Sequence, residues 1–197
     1  ESGVSWAAPV VPQRRVAVMA YGSLLYDPGP DLGPLVQDRI PRRTPFPVEY
    51  GRVSAKWGGG PVLVPHPDGG RVEGALLVLT PACDLGTAVE ALRVREGLAG
   101  PEGVVEVAAG DADLMVIAAS LPRNLPLPDM TPPELARRAA DSVVNGSLNG
   151  VAYLRGALDA GIETPRSRAY AREILELAGV DDLEEAERRL VAFRDRG

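Results

Sequence analysis

The chain has 197 residues, of which 45% are hydrophobic, and this length and composition suit one globular core. Acidic residues outnumber basic residues by 27 to 21, which gives a formal net charge of −6. An acidic surface disfavours nucleic acid or an anionic membrane as the main partner. We therefore expect a small-molecule ligand, and the composition leaves the oligomeric state open.

Histidine and cysteine each occur once, as His66 and Cys83. A single cysteine excludes an intrachain disulfide, and one residue of each type cannot form a His/Cys zinc cluster. We expect no metal and no cofactor, so that chemistry falls to carboxylates, hydroxyls, tyrosines, arginines or the backbone. Cys83 is interpreted as a small packing residue.

No apolar run approaches the roughly 20 residues that a membrane helix needs. No charged and then apolar signal segment opens the chain either. We expect a soluble, cytoplasmic protein. Because the sequence begins at Glu1, the earlier removal of a leader stays open.

The first part of the chain is predicted to be rich in β-strands. Residues 1–14 form a tail, and the remaining residues, 15–197, form a single domain. A β-prone apolar run over residues 15–20 predicts a strand that ends at Gly22. Residues 27–47 are predicted to form a long surface loop, because they hold six prolines, at positions 28, 30, 34, 41, 45 and 47.

A further strand is predicted over residues 48–57, before the glycines at 58–60. The Asp68-Gly69 pair then predicts a hairpin between residues 62–64 and 71–79. A second hairpin is predicted between residues 104–108 and 114–119, around Gly110-Asp111.

The last third of the chain is predicted to be helical, from about residue 131. Residues 121–129 contain three more prolines and indicate a linker. Thr131 and Glu134 have capping-box spacing, which predicts a helix to about residue 145. Further helices are predicted over residues 151–160 and 165–178, each closed by a glycine, and from Asp181 or Asp182 to the end.

The helix predicted over residues 84–98 carries the first candidate site residue. Leu85, Ala88, Val89 and Leu92 lie on one face, and Glu96 continues that face. Arg93 and Arg95 flank the stripe and are expected to lie in water, so that Glu96 points inward without a full cation partner. Burial of this kind raises the pKa of a carboxyl toward the range useful for acid–base catalysis. The alternative is that the helix frays at Gly97 and Glu96 lies in solvent.

The second candidate is the break after the first strand, at Tyr21-Gly22-Ser23-Leu24. Backbone amides at such a break can form a cradle for a carboxylate or an oxyanion. The alternative is an ordinary glycine turn. The segment lacks the glycine and lysine pattern of a phosphate loop and the repeated glycines of a dinucleotide site.

Taken together, these motifs resemble the γ-glutamylcyclotransferase superfamily, and its ChaC-like branch more than the others. Tyr21-Gly22-Ser23-Leu24 follows the first strand, as in that family, with Pro28-Gly29 shortly downstream. The segment Glu73-Gly74-Ala75-Leu76-Leu77-Val78-Leu79 resembles the family's strand before its helix. Leu92-Arg93-Val94-Arg95-Glu96 matches the family's Leu-x-x-Arg-Glu ending, in which the glutamate is catalytic.

The resemblance extends to about residue 175. Gly146-Ser147-Leu148-Asn149-Gly150 and Tyr153-Leu154 resemble the family's late Asn…Tyr-Leu helix start. Residues 52–58 only partly match the run that helps to define the glutathione pocket of ChaC-like proteins. The identity of the leaving amine or peptide is therefore left open.

The resemblance implies an α+β fold: a small mixed or antiparallel β-barrel with flanking helices and a helical C-terminal extension. It implies an enzyme that needs no metal and releases 5-oxoproline from a γ-glutamyl peptide, such as glutathione or a γ-glutamyl dipeptide. Glu96 would be the general acid and base, while Tyr21, Gly22, Ser23, Leu24 and Tyr153 would bind substrate. The alternatives are removal of a γ-glutamyl group from a γ-glutamyl amine, and a non-catalytic protein that binds a small carboxylate.

Overall fold

The computed structural model describes residues 13–120 and 130–195. Within those residues the chain forms seven strands: β1 (Arg15–Ala20), β2 (Val36–Pro41), β3 (Val48–Ser54), β4 (Gly60–Pro65), β5 (Ala75–Leu79), β6 (Val104–Glu106) and β7 (Leu114–Ala119). The same residues form six α-helices: α1 (Gly29–Leu32), α2 (Leu85–Glu96), α3 (Pro132–Ser142), α4 (Gly150–Asp159), α5 (Ser167–Ala178) and α6 (Leu183–Arg194). The fold is mixed α+β, as predicted. None of the described helices is long and apolar enough to cross a membrane.

Strand β1 lies at the centre of a five-stranded sheet with the order β2-β5-β1-β7-β6. It pairs in parallel with β7, and the other pairs in the sheet are antiparallel. Val16, Val18 and Ala20 pack on the side of α2, whereas Ala17 and Met19 pack on the opposite face. Because a strand alternates its side chains, the apolar residues 16–20 of β1 are buried on both faces of the sheet.

The described strands do not close into the predicted barrel. Strands β2 and β6 are the two edges of the five-stranded sheet, and β3 and β4 form a separate two-stranded ribbon. The inner face of that ribbon packs against the C-terminal helices through residues such as Tyr50 and Leu63. The ribbon therefore belongs to a second apolar cluster.

The predicted surface loop over residues 27–47 is wrong for about half of its length. This segment forms the short helix α1 and the edge strand β2. Proline is tolerated in both places: Pro30 lies in the first turn of α1, and Pro41 ends a strand that has only one neighbour.

The predicted hairpin around Asp68-Gly69 is also wrong. The turn itself forms, with the Gly69 N–H donating to the His66 carbonyl at 3.1 Å. However, β4 pairs with β3, and β5 pairs with β1 and β2. The segment after the turn lies beside residues 42–48, because Thr44 N–H bonds to the Val72 carbonyl at 2.9 Å. The second predicted hairpin, between β6 and β7, is confirmed.

The helical C-terminal part is confirmed, with one difference at its start. Asp182 caps α6 by accepting from the Glu185 N–H at 2.8 Å, and Gly179 ends α5 with a positive φ. Thr131 occupies the N-cap of α3 but makes no side-chain capping bond. The predicted linker at 121–129 and residues 1–12 of the predicted tail lie outside the described residues.

The ribbon and α4 approach each other at two glycines. A Cβ atom on Gly60, the first residue of β4, would lie 2.6 Å from the backbone of Gly150, the first residue of α4. Real Cβ contacts are not this short, so the contact needs glycine at position 60. It sets the distance between the ribbon and the helix that carries Tyr153.

We predict that Gly60→Ala lowers the free energy of unfolding by about 1–3 kcal/mol, as overpacking typically does. The measurement is chemical denaturation of both proteins. Gly86→Ala, in the first turn of α2, is the matched control, since its Cβ would meet nothing closer than 3.5 Å. An equal loss in both variants would contradict the close-contact interpretation.

Candidate active site

A pocket of about 330 Å³ lies where the end of β1, the end of α2, the β3–β4 ribbon and α4 meet. This size falls within the range of small-molecule sites. The predicted residues Tyr21, Ser23, Leu24, Glu96 and Tyr153 are among those that line it. Gly22 does not line the pocket but lies buried behind it. The structure therefore brings together residues that are up to 132 positions apart in the chain (153 − 21).

The turn after β1 begins at Gly22, whose φ of +62° favours glycine. A Cβ atom there would lie 2.7 Å from the Tyr153 hydroxyl. Residues Gly22–Leu25 then form a 3₁₀ helix. In such a helix each N–H bonds to the carbonyl three residues back, so the first N–H groups, here those of Gly22 and Ser23, have no acceptor within it.

Glu96 is the last residue of α2, and Gly97 ends the helix with a φ of +64°. Ala88 and Leu92 on the same helix face are buried, and the Glu96 side chain is 30% exposed. Burial raises the pKa of Glu96 above its ordinary value, although the charges of Arg95, Arg52 and Lys56 act in the opposite direction. Glu96 therefore lies at the pocket and does not fray into solvent.

Arg95 was expected to lie in water, but the structure buries its side chain. Its side chain is only 10% exposed, and its guanidinium makes three hydrogen bonds. Nε donates to the Asp27 carbonyl at 2.8 Å, and Nη2 donates to Ser23 Oγ at 3.2 Å. Nη1 donates to Glu96 Oε1 at 3.3 Å. Glu96 consequently has a cation within ion-pair distance, contrary to the prediction that it lacks a full cation partner.

Tyr21 and Tyr153 supply two neutral phenols at the pocket. Burial raises the pKa of Tyr21, and the negative charge of Glu96 raises it further. Burial also raises the pKa of Tyr153, whose hydroxyl accepts the Leu63 N–H at 3.2 Å. Both hydroxyls therefore keep their protons and can donate hydrogen bonds to a ligand.

Two cations that line the pocket, Arg52 and Lys56, were missed as site residues. Lys56 pairs with Asp27 at 3.0 Å, and this hydrogen bond lowers the pKa of Asp27. Arg52 has no hydrogen-bond or ion-pair partner among residues 13–120 and 130–195. Both lie within residues 52–58, which only partly match the family pattern. That partial match was the sequence signal that could have identified them as site residues.

Within the described ranges, no group of three histidine, cysteine, aspartate or glutamate side chains could hold a metal ion. The Cys83 side chain is half-buried against the apolar cluster beneath α2. Burial and the neighbouring Asp84 raise the pKa of its thiol, which favours the uncharged form. This environment agrees with the interpretation of Cys83 as a packing residue.

We predict that Glu96→Gln is more stable than the wild type near neutral pH, and that this difference disappears in acid. The folded pKa of Glu96 is raised above 4.5, so the unfolded chain releases this proton first as the pH rises. Wild-type stability is therefore lost between pH 4.5 and the folded pKa, whereas glutamine does not titrate. Denaturation at a series of pH values measures the difference.

Glu90→Gln is the matched control on the same helix. Arg93 lowers the pKa of the exposed Glu90, so the stability that this carboxylate contributes appears as the pH rises. The two substitutions should therefore change the pH dependence in opposite directions. If both substitutions changed the pH dependence of stability in the same direction, the result would contradict the buried environment assigned to Glu96.

No protein-family model matches the chain, and no curated protein matches it. Among solved structures, the chain is similar to a γ-glutamyl cyclotransferase from yeast that is specific to glutathione. The identity is 16%, and the similarity covers 91% of this chain and 99% of the yeast chain. The TM-score is 0.40, which is too low for the likeness to establish a shared activity.

Proposed function

We propose that the protein is a γ-glutamylcyclotransferase of the ChaC-like branch that releases 5-oxoproline from a γ-glutamyl peptide. The observation that carries this proposal is a partly buried carboxyl, Glu96, in one pocket with Tyr21 and Ser23. These are residues at which the sequence resembles two of the family's motifs. We further propose that residues 15–197 act as one catalytic domain.

The proposed reaction is an intramolecular transfer within the substrate. The α-amino nitrogen of the γ-glutamyl group attacks its own γ-carbonyl carbon, and a tetrahedral intermediate forms. The C–N bond to the peptide then breaks, which releases 5-oxoproline and the free amine of the peptide. Because both reacting groups belong to one molecule, holding them in the correct orientation supplies much of the rate.

Glu96 would move the proton in both steps. It takes a proton from the α-ammonium group, which makes the nitrogen a nucleophile, and returns the proton to the departing peptide nitrogen. The second proton that the α-nitrogen loses when it becomes the lactam nitrogen passes to water. A carboxyl with a raised pKa suits both roles, because a base works best with a pKa near the working pH. The burial of Glu96 supports this assignment.

The turn after β1 would hold the γ-glutamyl group. The amide of Ser23 would donate to the developing oxyanion or to a substrate carboxylate, while Gly22 and Leu24 would keep the turn in the shape that presents it. The phenols of Tyr21 and Tyr153 would line the same side. Their raised pKa values keep them as hydrogen-bond donors throughout the cycle.

The charges of the pocket favour a peptide over a simple amine as the leaving group. Arg52 and Lys56 both line the pocket, in a protein whose net charge is −6. A γ-glutamyl peptide carries a second carboxylate beyond the scissile bond, whereas a γ-glutamyl amine does not. An arginine without a partner in the described residues is suited to bind that carboxylate.

We predict that the wild type releases 5-oxoproline from at least one γ-glutamyl peptide, and that Glu96→Gln lowers kcat by at least about 100-fold. The substitution removes the proton carrier while preserving its shape. The measurement is 5-oxoproline formation from glutathione, γ-glutamyl dipeptides and γ-glutamyl amines, assayed in parallel.

Glu90→Gln makes the same chemical change at an exposed position of α2 and should retain wild-type activity. Release by Glu96→Gln at the wild-type rate would refute the mechanism. No release from the whole panel by folded wild-type protein would instead favour a non-catalytic protein that binds a small carboxylate. Release from amines alone would refute the peptide assignment.

We predict a smaller effect for Ser23→Ala, because the backbone amide of this residue remains. One hydrogen bond of about 1 kcal/mol corresponds to a fall in kcat/KM of less than about tenfold. Steady-state kinetics with the best peptide of the panel measure this effect. A loss as large as that of Glu96→Gln would show that the hydroxyl itself takes part in proton transfer.

A further inference from the structure

The Arg95 guanidinium connects three parts of the pocket rim. It bonds to the Asp27 carbonyl, to Ser23 Oγ and to Glu96 Oε1, at 2.8, 3.2 and 3.3 Å. Asp27 is bound in turn to Lys56, which follows β3, at 3.0 Å. One nearly buried side chain thus joins the end of α2 to the turn after β1, and through Asp27 to the ribbon.

We propose that Arg95 is a positioning residue that holds Ser23 as a hydrogen-bond donor and Glu96 as a proton acceptor on the same side of the pocket. This inference rests on the proposed function. A guanidinium only donates hydrogen bonds, so its bond to Ser23 occupies an oxygen lone pair and leaves the hydroxyl proton for a ligand. Its bond to Glu96 Oε1 leaves Oε2 without a hydrogen bond from the described residues.

Arginine is suited to this position because its donors point in fixed, divergent directions. A lysine could replace the positive charge, but its ammonium group could not reach the three acceptors with the same geometry. The stem of Arg95 passes Gly29, where a Cβ atom would lie 2.9 Å from Arg95 Cδ. The chain therefore leaves space for this side chain at a glycine with a φ of +83°.

Other charged or titratable groups also face Glu96. Arg52 of β3 and Lys56 after it contribute positive charge, while Tyr21 after β1 and Tyr153 of α4 contribute neutral phenols. Among the described residues, Arg95 is the cation that lies within ion-pair distance of Glu96. Its removal should therefore alter the carboxyl more than the loss of either other cation.

The test compares Arg95→Gln, Arg95→Lys and, as the matched control, Arg93→Gln. Arg93 lies two positions earlier on α2 and pairs with Glu90 at 2.7 Å. The first readout is the pKa of the Glu96 carboxyl, from NMR titration of ¹³C-labelled glutamate assigned with Glu96→Gln. The second readout is the pH profile of kcat/KM for 5-oxoproline release.

We expect the Glu96 pKa to rise by about 1 in Arg95→Gln and to stay unchanged in Arg93→Gln. Because the base must be deprotonated, the acid limb of the kcat/KM profile should move to higher pH by the same amount. Arg95→Lys should keep the pKa close to that of the wild type. It should lower kcat by at least about tenfold, because the charge remains but the hydrogen-bond geometry does not.

An unchanged Glu96 pKa in folded Arg95→Gln would overturn the inference, as would wild-type kcat and KM in Arg95→Lys. The NMR readout needs no turnover. If the wild type releases no 5-oxoproline, the proposed function fails, while the titration still decides whether Arg95 controls Glu96. If Arg95→Gln does not fold, the kinetics and titration of Arg95→Lys decide the question.

Discussion

The site depends on one steric constraint, the turn at Gly22 beneath the Tyr153 hydroxyl. Strand β1 is buried on both faces, so the place where it ends is determined by the core of the sheet. The chain must then turn with a positive φ, and α4 leaves no space for a Cβ atom at that point. Because Tyr153 also accepts the Leu63 N–H, the same hydroxyl fixes the ribbon against the turn. These contacts bring Ser23 within reach of the guanidinium on α2.

Two opposing effects set the pKa of Glu96: the burial of the carboxyl and the positive charges around it. Burial raises its pKa, and the C-terminal end of a helix dipole also disfavours a negative charge. Arg95, Arg52 and Lys56 act against this increase, and Arg95 is the nearest of them. The net effect is a pKa above the ordinary value of a glutamate. A group that takes a proton in one step and returns it in the next needs this balance.

The pocket lies between two apolar clusters that are formed by different parts of the chain. The five-stranded sheet and α2 form one cluster, and the β3–β4 ribbon with helices α3–α6 forms another. Each cluster is stabilised by its own burial of apolar surface. The polar side chains that a ligand needs can therefore line the space between them without interrupting either core. Tyr153 belongs to the helical cluster, and Glu96 ends the helix that covers the sheet.

The sequence by itself determined the elements whose signals are local. The apolar run of β1, the cap of α6 and the place of Glu96 one turn beyond Leu92 follow from periodicity and capping residues. Only the tertiary structure decided the partner of β4, the edge strand over residues 36–41 and the open sheet, because strand pairing is set by distant segments. The burial of Arg95 has the same reason: its acceptors at Asp27 and Ser23 lie 68 and 72 residues away in the chain.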